Sequence, residues 1–119
     1  MGSKSNYAEN ATLNHLLSGT KYVGLITAGD DSGVTEPTSD SAYARQSVTF
    51  TVTGSQAENA ADFVFPYATQ DNGEVDIAVF DSSSGGNFLY IMTITNGSFT
   101  YNTDETIEVL AGDGVITEE

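Results

Sequence analysis

Apolar and polar positions alternate with a period of two along much of this chain, most clearly over residues 75–94, VDIAVFDSSSGGNFLYIMTI. Val75, Ile77 and Val79 alternate with Asp76, Ala78 and Phe80, which is the side-chain repeat of a β-strand. Residues 81–86 are short and polar and end in Gly85-Gly86, which can adopt the positive φ values of a tight connection. Residues 88–94 are then apolar at both parities, which predicts a strand covered on both faces. The two segments are expected to pair as a hairpin in the middle of the core. Asp in place of Leu89 or Ile91 should then bury an unpaired charge and prevent folding. Gly85 and Gly86 read as turn residues rather than a phosphate cradle, because no helical pattern follows them.

The same patterning organises the rest of the chain. Ser5 is placed to cap a helix over residues 6–17, with Ala8, Ala11, Leu13, Leu16 and Leu17 as a partial apolar stripe and Gly19 as its stop. Residues 20–28 read as a strand, and residues 29–42 as a long surface loop without a periodic apolar face. Residues 43–53 resume alternation, with Val48, Phe50 and Val52 on one face. Residues 54–60 read as a polar connection, and residues 61–65 as a short strand ended by Pro66. Asp71-Asn72-Gly73 and Asn96-Gly97 are turn signals, and residues 98–101, 106–110 and 115–117 make three short terminal strands. The predicted fold is mainly β: an antiparallel β-sandwich, jelly-roll-like, behind a short N-terminal helix. Residues 1–19 form an arm and residues 20–119 the sandwich domain.

Composition narrows the function classes. The chain has 119 residues, enough for one core, and no Cys, which removes disulfides and thiolate chemistry. No apolar run reaches the roughly 18 residues of a membrane helix, and no secretory leader is visible, so no membrane partner is expected. Asp and Glu total 17 against 3 Lys plus Arg, a net charge of −14. Such a surface repels phosphates, so direct nucleic-acid binding is not expected either.

Candidate chemistry is sparse. His15 is the lone histidine and sits among Leu13, Leu16 and Leu17, which suits a helix-surface or interface position better than catalysis. The acids at 30–31, 71–76 and 104–105 raise calcium binding. However, Ala68 and Gln70 stand where an EF-hand loop needs acids, so solvated acidic loops are the stronger account. Asn10-Ala11-Thr12 and Asn96-Gly97-Ser98 match the glycosylation triplet without a leader to give it meaning. Arg45, one of three basic side chains, is expected to pair with a carboxylate, within the subunit or across an interface.

Several strings taken together, NYAENATLNHLL, YVGLITA, YARQSVTF, FPYATQDNG, AVFDSSSGGNFLY and AGDGVI, resemble a family of small tailed-phage virion proteins. The resemblance runs in order over most of the chain. It implies a non-enzymatic β-sandwich structural protein with no cofactor, of the kind described as capsid decoration or tail-fibre proteins. On that reading the subunit is made in the host cytoplasm and docks in many copies, as a homotrimer, on the major capsid protein at the virion surface. Tail proteins are the alternative partners, and a calcium- or carbohydrate-binding sandwich contacting the host is the alternative class. The loops 29–42 and 54–60 lack the aromatic platforms that carbohydrate would need. The arm is expected to contact a neighbouring chain more than its own core, with Tyr7, Leu13, Leu16, Leu17 and Arg45 as interface residues.

Overall fold

In the computed structural model, which describes residues 5–30, 33–94 and 98–117, the chain opens with helix α1 (Asn6–Leu17). The Ser5 hydroxyl accepts the Ala8 amide at 3.1 Å, and Gly19, at φ 72°, ends the turn that follows. Among the described residues twelve strands come next: β1 (Lys21–Ile26), β2 (Ala28–Asp30), β3 (Gly33–Thr35), β4 (Gln46–Val48), β5 (Phe50–Thr53) and β6 (Gln56–Asn59) in the first half, then β7 (Phe63–Val64), β8 (Glu74–Phe80), β9 (Phe88–Ile94), β10 (Phe99–Thr100), β11 (Glu108–Val109) and β12 (Gly114–Thr117). The main sheet runs β4-β1-β8-β9-β12-β6-β5, with β10 also on β8, and every pairing is antiparallel. The fold is mainly β, a sandwich approaching a barrel, with one short N-terminal helix. That helix is not long and apolar enough to cross a membrane.

Closure follows from one residue. The strand expected over residues 43–53 is broken at Thr49, and its halves, β4 and β5, lie at opposite ends of the main sheet. Consecutive Cα atoms are about 3.8 Å apart, so the two ends must meet. The sheet therefore curls around one interior, as sandwiches do where a strand bends from one layer to the other. Val48, Phe50 and Val52 keep the shared inward face that their alternation predicts. The polar stretch 54–60 is no mere connection, because it contains β6, which pairs with β5 and β12.

The predicted hairpin is present: β8 pairs with β9 through residues 81–87, and Gly85 and Gly86 take φ of 64° and 69°. Its burial differs from expectation. β8 is the strand covered on both faces, with Ile77, Ala78 and Val79 fully buried and Phe80 nearly so. On β9, Met92 is buried but Leu89 is half-buried and Ile91 is 41% exposed. Ile91 pairs with Ala78 in regular register, and a β-bulge follows between Val79 and Phe80. Beyond it Phe80 pairs with Phe88, so Leu89 becomes the extra residue and Phe88 turns to the outer face, away from the side taken by Tyr90 and Met92. There Phe88 joins Ile26, Ala78, Phe80 and Val34 in a second, smaller cluster.

Val34 belongs to the β2–β3 hairpin, which occupies part of the loop expected over residues 29–42. Strands of three residues, AGD and GVT, are too short to carry a visible periodicity, so this element was invisible in the pattern. The main cluster gathers Leu25, Ile77, Val79, Phe65, Tyr101 and Ile116 with Leu13 and Leu17 of α1. The helix is thus docked on its own subunit through Leu13 and Leu17, with Leu16 packed against the same cluster. The Asn96-Gly97 turn lies outside the described residues.

Two substitutions separate the strands. Val79→Asp places a charge at a fully buried site, at a cost of several kcal/mol against a total stability of about 5–15 kcal/mol, and should leave the protein insoluble or unfolded. Ile91→Asp should remain soluble, with a melting temperature lowered by only a few degrees in a thermal unfolding scan.

Candidate functional site

The β1 edge explains the densest polar constellation. β4 pairs only with Lys21, Tyr22 and Val23, so the amide of Leu25 would lack a ladder partner. The Tyr43 hydroxyl accepts it at 3.0 Å and donates to Glu36 Oε1 at 2.5 Å, and the Thr27 amide is taken up by the Thr35 carbonyl at 2.8 Å. Arg45 closes the arrangement. Its Nε and Nη2 bond the two Glu36 oxygens at 3.0 and 2.8 Å, and Nη1 reaches the carbonyls of Ser82 and Gly85 at 2.7 and 2.9 Å. The guanidinium lies 3.6 Å from the centre of the Phe80 ring. One planar cation thereby holds the 36–45 segment, the 81–87 loop and the outer cluster together.

Burial opposes the charge on Glu36, but hydrogen bonds from Arg45 and Tyr43, with the Arg45 charge, outweigh it and hold the carboxyl below its usual range. Burial and the neighbouring Glu36 push the Tyr43 hydroxyl far above its ordinary value, so at neutral pH it stays protonated as a donor. The hydrogen bond to Glu36 likewise raises Arg45. Gly24 makes room for this: a Cβ there would stand 2.6 Å from the Tyr43 hydroxyl oxygen and 2.9 Å from the Phe80 ring. The open cleft beside the clamp, about 480 Å³, is lined by Glu36, Thr38, Tyr43, Arg45 and residues 83–85. The charge in it is already paired, so the arrangement fastens loops.

A second fastener lies alongside. Asp40, 2% exposed, accepts the Thr69 hydroxyl at 2.6 Å, the Thr69 amide at 3.1 Å, the Asn72 side-chain amide at 2.9 Å and the Ala42 amide at 3.0 Å. The Thr69 hydroxyl foremost, and then the amides, hold its carboxyl far below the ordinary range despite burial. Other loop acids also serve as local acceptors: Asp81 takes both the amide and the side chain of Asn87, Asp71 takes the Thr103 amide, and Glu105 takes the Asn102 amide. The outer surface is strongly anionic, since no Lys, Arg or His follows Arg45 in the chain.

A family described as "Podophage GP4 fiber I protein gp80" matches residues 3–117. The chain belongs to that family. It is accordingly a tailed-phage virion structural protein, and the family name sets its location in the virion. Neither a curated protein nor a solved structure matches it significantly.

The residues singled out from the sequence of this fibre-family chain scatter. Tyr7 is 83% exposed on α1 and Leu16 is half-buried, whereas Leu13 and Leu17, at 0% and 2% exposure, face the subunit's own core. Arg45 finds its carboxylate within the subunit, and the pair is too enclosed to be an ordinary surface bridge. Glu36, Tyr43, Gly24 and Asp40 were not anticipated. The nearest signal was Tyr43 two residues before Arg45, with Asp40 in a Ser-Asp-Ser turn.

Gly24→Ala should cost about 1–3 kcal/mol by overpacking, read as a lowered urea midpoint with an unchanged slope. The Asp40 carboxyl is depressed on folding, so its contribution is complete above its ordinary pKa of about 3.9 and is lost as pH falls toward the lower folded value. Stability should therefore decline below about pH 4, and Asp40→Asn should flatten that part of the profile in pH-dependent melts.

Proposed function

We propose that this protein is a non-enzymatic structural subunit of a phage fibre, present in several copies on the virion, with the homotrimer as its assembly unit. The observation that carries the reading is the family match across nearly the whole folded chain, helix and sheet included. The physical organisation supports it. Among the described residues the prominent polar groups are paired with one another as loop fasteners, and the sheet presents a curved β-surface. A body of this kind works by docking, and its partners are other virion proteins.

Capsid decoration on the major capsid lattice is the second reading, and the charge favours it. At −14 per chain, free assembly units repel one another and stay dispersed until they meet a surface that compensates them. The outer face of a shell repeats such a surface many times. Exposed charges are screened within about 8 Å at physiological ionic strength, so on either reading attachment should slow as salt rises.

Immunogold labelling of intact particles decides between the two. Label on discrete projections is the expected result. Label spread evenly over the head would replace the fibre assignment with capsid decoration, and absence from purified particles would refute both.

A further inference from the structure

The outward face of the β7–β11 ribbon has no role in the arrangement described so far. Phe63 and Val109 point into the core at 5% and 2% exposure, so pleat alternation turns Val64 and Glu108, which are directly paired, to the outside. Leu110 follows the strand directly, two residues after Glu108, and Val64 and Leu110 are each 50% exposed. Tyr67, three residues beyond Val64, is 66% exposed. The face is held rigidly from behind. The Leu110 carbonyl accepts the side-chain amide of the buried Asn59 at 3.0 Å, and Asp62 accepts the Ala111 amide at 2.7 Å. An apolar pair is thus displayed on a preorganised ribbon, bordered by the carboxylates of Asp62 and Glu108.

We propose, on the virion-structural reading above, that this face docks on another virion protein whose surface is apolar at its centre and bordered by Lys or Arg. Charge selects the occupant. A second copy would meet these carboxylates with its own predominantly acidic surface, in a chain that has no cation after Arg45. A neutral apolar partner would strip water from Glu108 and Asp62 without pairing them. A basic rim around an apolar centre satisfies both parts, with Val64 and Leu110 as the desolvated anchors.

The test places a photoreactive benzophenone side chain at position 64 or 110, with exposed Thr51 on β5 as the control position, in protein incorporated into phage particles. Irradiation followed by peptide mass spectrometry should join positions 64 and 110, but not 51, to a Lys- or Arg-bearing segment of a different virion protein. In the same particles Glu108→Lys should lower the number of attached copies on the order of tenfold, while circular dichroism confirms an unchanged fold. Crosslinks to a second copy, to an acidic segment, or from position 51 alone would overturn the proposal, as would particles that carry the protein but yield no crosslink. Absence of the protein from purified particles would sink the virion reading and this surface together.

Discussion

Thr49 imposes the constraint on which the rest of the structure depends. Because β4 and β5 are joined through this single residue yet sit at opposite ends of the main sheet, the sheet cannot lie open. Curling brings the inward faces of β1, β5, β6, β8 and β12 around one interior and leaves α1 to cover it, with Leu13 and Leu17 as its contribution. Closure also limits the exposed strand edges that would otherwise invite pairing with other chains. A subunit held at high local concentration in an assembly benefits directly from that.

The outer cluster solves a different problem. β8 is apolar on both faces, so its outer side needs cover that the closed sheet cannot provide. The β2–β3 hairpin, Phe88 and the Arg45 guanidinium supply it. A bulge turns Phe88 to the outside, and Gly24 leaves the room that Phe80 and Tyr43 fill. Arg45 suits the position because its planar cation stacks on the ring while its N–H groups face a carboxylate and two carbonyls. A lysine could neutralise Glu36 but could not bridge three segments in one plane.

Charge is distributed to match. The cations of the described chain are occupied locally: Arg45 is enclosed by Glu36, and Lys21 donates to the Ser18 carbonyl behind the helix. The carboxylates dominate what remains outside. Membership of a phage fibre family gives this anionic surface the context of a virion structural protein.

The helix, the central hairpin, its glycine connection and the β class were legible in the sequence, because each rests on contacts close along the chain: a Ser5 cap, a 3.6-residue stripe, a two-residue alternation, positive φ at Gly85 and Gly86. Arg45's need for a carboxylate was legible for a similar reason, since few cations stand among many anions. Which carboxylate it takes was not, because the turn between Glu36 and Arg45 is held by Asp40 bonding Thr69 and Asn72, residues far along the chain. Nor could periodicity show that Thr49 breaks one strand into two, that a bulge reverses the face of Phe88, or that the apolar stripe of α1 belongs to its own core. Alternation specifies that a residue has a buried side; which layer buries it depends on register and closure, and those are properties of the whole sheet.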